Sequence, residues 1–555
     1  MKPISFGSLL SLYRAFQSAI RGRALLLLFL GLFASSVTLT LTLWPPISQP
    51  KPVAARLNGT PANNETASSP SSTTTSNLPN SSAVAPSGDR RRRQKLVKEI
   101  DRILAHRLFR KGFWGVDVQS VEDGNVFYSR NSFKYFIPAS NVKLFTTAAA
   151  LNRLGPDFRF RTRLNYEGQL SERGILKGNL ILVGGGDPNL ASSQLLQGPG
   201  FAHLDRMVRR VREAGVRVIE GHVIGDDSLF PYAPYGRGWN LSDLEYQYAP
   251  AVSALSFHDN LMAVVARPGS RTGQPISLIS HPPNSLFKFV NLGMTIGVGA
   301  PQEAYLSRVV GDYRATVSGD LPINGSGWSR YLTIKDPALY TATIFRDRLR
   351  RSGIHVKGIA RSRHFGDATP TQGVHEIYVH ESAPLIETIF QINKDSHNLY
   401  AEILLRTLGA QIKGKGTDGQ GLQVIYEFLQ EAGVPARLAD LHDGSGLSRY
   451  NLITPRAQSL LLKHLTKLPY FHFFLSSLPV SAKDGTLRGR MHQTAAARRI
   501  HAKTGTLEGA IALGGYVKSQ SGPLLAFSIL VNDHRFGRGV ARGCIDRICN
   551  VLAKY

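Results

Sequence analysis

Apolar and polar residues alternate with two different periods along this chain, and the period changes with position. Leu96, Ile100, Ile103, Leu104 and Leu108 recur at helical spacing and predict an opening helix from about Lys95. Trp114-Gly115-Val116-Asp117-Val118 and Val126-Phe127-Tyr128, separated by Asp123-Gly124-Asn125, predict a hairpin. The next helix is predicted to start at Ser140, because Pro138 keeps Ile137 out of helical geometry. Its body, Leu144-Phe145-Thr146-Thr147-Ala148-Ala149-Ala150-Leu151, has high helix propensity and almost no polar surface, so it should be buried.

From about Phe158 to Ile334 strand-like alternation takes over: Phe160 to Tyr166, Leu180 to Val183, Val216 to Ile224, Leu286 to Val290, Tyr313 to Val317 and Tyr331 to Ile334. One helical pattern (Leu204, Met207, Val208, Val211) interrupts it, and Gly184-Gly185-Gly186-Asp187-Pro188 reads as a turn, lacking the spacing of a phosphate loop. Asp336-Pro337 then caps a predicted helix that reaches Arg350 and ends at Gly353. Helical spacing continues at Ala383 to Asn393, Asn398 to Leu408, Gly421 to Glu431 and Pro455 to Leu465. Strands follow at Arg499 to Thr504, Ile511 to Val517 and Leu524 to Asn532, the last two joined by Gln520-Ser521-Gly522-Pro523, before a closing helix.

The amino end belongs to neither pattern. Met1 to Arg23 carries Lys2, Arg14, Arg21 and Arg23 without an acid, and Ala24 to Trp44 has no charge. At 1.5 Å rise per residue that run is about 30 Å long, enough to cross a bilayer core. It is expected to be an uncleaved signal-anchor with the positive flank inside and the rest exported to the periplasmic side of the inner membrane. The alternative is a long cleaved signal and a soluble periplasmic protein. Pro45 to Asp89, rich in Ser, Thr, Asn and Pro and with no aromatic residue, reads as a flexible tether carrying sequons at Asn58, Asn64 and Asn80. Arg90-Arg91-Arg92-Arg93 reads as a solvated charge run, with contact to anionic lipid or polymer as the second reading.

The predicted organisation is therefore a basic segment and anchor at 1–44, a linker at 45–94, a first α/β part at 95–157, a mostly β insert at 158–334, and a second α/β part at 335–555. The composition, 42% hydrophobic and 19% charged, allows a large core. A net charge of +27 favours anionic partners. Nucleic acid is set aside, since no nucleic-acid motif is present and aromatics are not interleaved with the basic residues. Cys544 and Cys549, five apart in the closing helix, are poorly placed to pair, and the histidines are scattered, so no disulfide framework, metal or cofactor is expected.

The chemistry lies in three short motifs. Ser-x-x-Lys occurs at Ser48/Lys51, Ser140/Lys143 and Ser285/Lys288, but only the second opens a helical pattern, where i and i+3 share a face. Ser396-His397-Asn398 stands between two helical patterns; S-x-N is weak alone, since Ser129-Arg130-Asn131 also matches it. Lys503-Thr504-Gly505-Thr506 ends a strand, and no other K-T-G exists in the chain. Together, in this order, they form the set found in penicillin-binding proteins and class A β-lactamases. Ser140 has the place of a nucleophile and Lys143, as a neutral amine, that of its base. Burial and a second ammonium, Lys503, would both lower the pKa of Lys143. Ser396 is suited to relay a proton from Lys143 to the leaving amine, and Asn398 to hold both Lys143 and the substrate peptide. Lys503, with the hydroxyls of Thr504 and Thr506, is suited to a substrate carboxylate, and Gly505 to leaving room for an acyl chain. The backbone N–H groups of Ser140 and Thr506 are the candidate oxyanion hole.

From about Lys95 to the carboxyl end the chain resembles the D-alanyl-D-alanine carboxypeptidase/endopeptidase family, the class C low-molecular-mass penicillin-binding proteins. Beyond the three motifs the resemblance rests on Val183-Gly184-Gly185-Gly186-Asp187-Pro188, on Ser253-Ala254-Leu255-Ser256 before Asn260, and on Asp443-Gly444-Ser445-Gly446-Leu447-Ser448. It implies an α/β (α+β) fold in which a serine β-lactamase/transpeptidase-like domain, an antiparallel sheet with helices, is interrupted between its first two motifs. It also implies a penicillin-sensitive serine peptidase that cleaves D-Ala-D-Ala termini or D-amino-acid cross-links of peptidoglycan stem peptides through an acyl-serine, with β-lactams as inhibitors. A β-lactamase or esterase on the same scaffold, or a catalytically silent envelope-binding protein, are the competing readings.

Overall fold

The computed structural model describes residues 87–555 apart from 189, 192–199, 369–372 and 521. The expected anchor, most of the tether with its sequons, and part of the 520–523 turn lie outside the described residues. Among the described residues no helix is long and apolar enough to cross a membrane.

The opening helix α1 (Ser87–Ala105) starts earlier than its apolar spacing suggested and takes in Arg90–Arg93, which stay exposed along it. The boundary placed at residue 94 is thus corrected: an arginine run carries no helix-breaking residue, and the apolar stripe of Leu96, Ile100 and Leu104 anchors the whole helix. Strands β1 (Phe113–Ser120) and β2 (Val126–Arg130) form the predicted hairpin, and α2 (Val142–Leu154) follows. The insert opens with β3 (Arg161–Leu170) and β4 (Ile175–Val183), then α3 (Ala202–Glu213), β5 (Val223–Asp226), β6 (Leu261–Arg267) and β7 (Trp328–Thr333).

The insert does not end at Ile334. Helix α4 (Pro337–Arg351), capped by Asp336 Oδ1 accepting from the Leu339 N–H at 2.9 Å, packs in the insert's apolar core through Tyr340, Ile344, Phe345 and Leu349. Strand β8 (Ala360–Arg363) pairs with β5, and β9 (Val374–Glu381) pairs antiparallel with β3. Residues 335–381, assigned from the sequence to the second α/β part, therefore complete the insert's seven-stranded sheet. Long-range strand pairing, which leaves no local signature, decides this boundary.

The second α/β part runs through α5 (Leu385–Lys394), α6 (Asn398–Lys413), α7 (Asp418–Glu431), α8 (Pro455–Leu465), α9 (Phe471–Ser477), β10 (Ile500–Leu507), β11 (Ala510–Lys518), β12 (Leu524–Asn532) and α10 (Arg538–Lys554). Five strands pair antiparallel in the order β2-β1-β12-β11-β10, joining the two ends of the chain across the insert. The alternation of β12 shows why both its faces are apolar: Leu525, Phe527, Ile529 and Val531 meet α1 and α10, whereas Ala526 and Leu530 meet the cluster containing α2 and α5 to α8. The result is helix layer, sheet, helix layer, with α2 buried in the larger layer and its start against β10.

Candidate active site

Ser140 sits in a 3-10 turn (Ala139–Asn141) immediately before α2, a shift of two residues from the predicted helix start. Ala139 has φ +48°, a left-handed backbone that a residue with a Cβ rarely adopts. Neighbouring segments hold it there. Asn141 Nδ2 donates to the Lys503 carbonyl at 3.2 Å, while Asn141 Oδ1 accepts from Gln458 Nε2 at 2.5 Å. Gln458 Oε1 in turn accepts from Ser528 Oγ at 2.7 Å. Two glycines let backbone close on the turn: a Cβ on Gly446 would stand 1.9 Å from the Ala139 carbonyl oxygen, and one on Gly505 2.6 Å from that of Pro138. Gly505 was expected to leave room for an acyl chain; its missing side chain instead accommodates Pro138.

Lys143 is fully buried. Its Nζ lies 3.0 Å from Ser140 Oγ and 2.5 Å from both Asn398 Oδ1 and the Ser445 carbonyl oxygen. Burial pulls the amine down to about 7, opposed by the charges of Asp443 and Glu402. Burial, one of the two expected causes, is the larger; the repulsion between the Lys143 and Lys503 ammonium groups acts in the same direction. A neutral amine has two N–H donors and one lone pair. With the donors taken by two oxygens, the lone pair is left for the Ser140 hydroxyl.

The Ser445 carbonyl is aimed by a loop that sequence reasoning treated only as a resemblance. Asp443 accepts from Gly446 N at 2.8 Å, Ser448 N at 2.6 Å and Asn451 Nδ2 at 2.7 Å. Glu402 accepts from Ser445 N at 2.8 Å and Gly444 N at 3.2 Å, and burial, then Asp443 and Asp418, pushes its carboxyl up to about 8. Glu402 and Asn141 gave no motif signal; the only sequence hint of the loop was Asp443 to Ser448.

Lys503, also fully buried, lies within β10 rather than at its end and donates to Ser396 Oγ at 2.8 Å and to the Thr504 carbonyl at 2.9 Å. Burial, and then the charge of Lys143, pushes its amine well below the usual lysine range. Ser396 has φ +63°, a second strained position in the site. It is bonded to Lys503, not to Lys143 as the expected relay had it. Asn398, expected to hold Lys143 and the substrate together, holds Lys143 through Oδ1 but donates its Nδ2 to the Tyr248 carbonyl at 2.7 Å.

Tyr248 belongs to the insert, which reaches the site twice more. Trp239 Nε1 donates to Asp443 at 3.1 Å. Asp259 accepts from Tyr400 Oη at 2.9 Å and lies 3.7 Å from His397 Nε2, beside the S-x-N turn. Asp259 itself has φ +54°, as do its flanking residues within a degree or so. Ser140, Ser396, Thr504, Gly505 and Thr506 line one cavity of about 430 Å³, together with Thr486, Arg490 and Arg542. All eight site residues named from the sequence therefore converge, Lys143 and Lys503 by direct bonds to that wall and Asn398 through Lys143. Among the described residues no cluster of His, Cys, Asp and Glu is placed to hold a metal ion.

The model of the D-Ala-D-Ala carboxypeptidase 3 (S13) family matches residues 96–555. A D-alanyl-D-alanine carboxypeptidase of Actinomadura sp. (strain R39) is 33% identical over 472 residues, covering 83% of this chain and 85% of that protein. The D-alanyl-D-alanine carboxypeptidase DacB of Haemophilus influenzae is 26% identical over 429 residues, 76% of this chain and 86% of its own length. The crystal structure of penicillin binding protein 4 (dacB) from Haemophilus influenzae superposes with a TM-score of 0.71 at 24% identity, over 82% of this chain and 99% of that one, and shares the fold.

Proposed function

We propose, from the premise that the chain belongs to the D-Ala-D-Ala carboxypeptidase 3 (S13) family, that it cleaves D-Ala-D-Ala termini or D-amino-acid cross-links of peptidoglycan peptides through an acyl-Ser140. The observation that carries this is the buried Lys143 amine, pulled to about 7 and 3.0 Å from Ser140 Oγ. Its lone pair takes the hydroxyl proton as Oγ bonds to the scissile carbonyl carbon. The oxyanion forms beside the N–H groups of Ser140 and Thr506, one such donor being worth about 3 kcal/mol. Lys503 and Ser396, bonded at 2.8 Å, stand where a proton must be given to the departing amine, and the C–N bond breaks. The proton held by Lys143 then replaces the one given up by the Lys503–Ser396 pair, so Lys143 is neutral again. Water attacks the ester carbonyl as Lys143 takes its proton, the C–Oγ bond breaks, and Oγ recovers that proton to restore Ser140.

A penicillin presents a strained amide to the same nucleophile, so β-lactams are inhibitors of this reading. The test is incubation with a fluorescent penicillin, mapping of the labelled peptide, and assay of D-alanine release. Label on Ser140, with both label and release lost in Ser140→Ala, is expected; release that persists in Ser140→Ala sinks the assignment. The uncharged run 24–44 supports export and anchoring at the inner membrane. Recovery of the full chain in the soluble fraction with an intact amino terminus would contradict that placement.

A further inference from the structure

One charged side chain in the wall of the cavity takes no part in that proton relay. Arg542, on α10, lines the space shared by Ser140, Ser396, Thr504 and Thr506, and its Nη2 lies 3.4 Å from Thr506 Oγ1. It is exposed to that space. The other arginine of this wall, Arg490, is held by Asp546 at 2.5 Å, whereas among the described residues no carboxylate is within ion-pair distance of Arg542. An uncompensated guanidinium raises the positive potential of a cavity whose lining carries no acidic side chain. That arrangement is favourable once a ligand brings a negative charge.

The two lysines are ill suited to be the permanent cation. Both are fully buried, and the Lys503 amine is pushed well down by burial and by Lys143. Its 2.8 Å bond to Ser396 also ties it to the proton path. A guanidinium stays charged at any working pH and presents two parallel donors to a carboxylate. Thr504 and Thr506, two apart on β10, project from one face, so hydroxyls and guanidinium converge.

We propose that Arg542 is a specificity-determining residue that, with the Thr506 hydroxyl, binds the carboxylate on the residue leaving the scissile bond. Recognition of charge and delivery of the proton are thereby divided between Arg542 and Lys503. The inference rests on the peptidase reading.

The experiment compares an acyl-D-Ala-D-Ala peptide bearing a free terminal carboxylate with its terminal carboxamide, using wild type, Arg542→Gln and Arg542→Lys. Wild type should favour the carboxylate. Arg542→Gln should lose about 10- to 100-fold in kcat/KM on the carboxylate, chiefly in KM, and less than about twofold on the carboxamide. Arg542→Lys should fall between. The proposal is overturned if Arg542→Gln treats both substrates as wild type does, or if both fall equally, since a fold defect or a general role would not discriminate charge. If wild type releases neither D-alanine from the carboxylate nor D-alaninamide from the carboxamide, the peptidase reading itself fails and the inference with it, an outcome visible without any variant.

Discussion

At Lys143 a count of donors and lone pairs decides the chemistry. Two oxygens at 2.5 Å take two hydrogens, and the remaining direction faces Ser140. In the proposed mechanism the neutral form is the base, so acylation by a fluorescent penicillin should rise as pH passes upward through about 7 and fall about tenfold per unit below it. The same depression has a stability consequence of fixed sign. Between about 7 and the ordinary 10.5 the unfolded chain binds a proton that folded Lys143 refuses, so this group's contribution to stability grows with pH across that window. Gly505 gives a second prediction at this scale. A Cβ there meets the Pro138 carbonyl at 2.6 Å and Asn141 Nδ2 at 3.0 Å, so Gly505→Ala should displace β10 from the Ser140 turn. A loss of about 1–3 kcal/mol in urea unfolding and at least tenfold slower acylation are expected. Residue type and spacing made Ser140, Lys143 and the K-T-G legible. Asn141 was not, since an asparagine inside S-x-x-K becomes a staple only when Gln458 and Lys503 arrive from far along the chain.

At the scale of elements, the insert is a working part of the site. The Tyr248 carbonyl fixes the Asn398 amide, and Asp259 fixes the S-x-N turn through Tyr400 and His397. Asp259→Ala removes the Tyr400 bond, and a loss of about 1–2 kcal/mol by thermal unfolding is expected together with slower acylation of Ser140. Unchanged acylation with lowered stability would make Asp259 a fold residue only. Helix and strand periods read correctly wherever an element buries one stripe or two apolar faces, as in α8 and β12. They misplaced the end of the insert, because α4 is equally amphipathic in either core and only the pairing of β9 with β3 assigns it.

For the whole molecule, the five-stranded sheet takes β1 and β2 from one side of the insert and β10 to β12 from the other. Such closure links residues far apart in sequence, so folding should be slow for its size relative to a helical bundle. The net charge of +27 favours anionic partners, and the arginine run lies on the exposed side of α1. A chain starting at Ser87 retains the two apolar cores flanking the five-stranded sheet, the insert's core and all site residues. It should keep its circular dichroism and acylate at the rate of the full-length protein; acylation lost on this truncation would show that the amino-terminal segment contributes to the site.

Sequence alone determined what is local: hydrophobic period, caps such as Asp336-Pro337, and three motifs whose residue types suit one acyl transfer. Tertiary structure decided what depends on approach: that Gly505 yields to a carbonyl, that Lys503 serves Ser396, and that the insert grips Asn398. Periodicity reports which face of an element is apolar. It carries no information on which distant surface that face meets, and hydrogen-bond partners are set by that meeting.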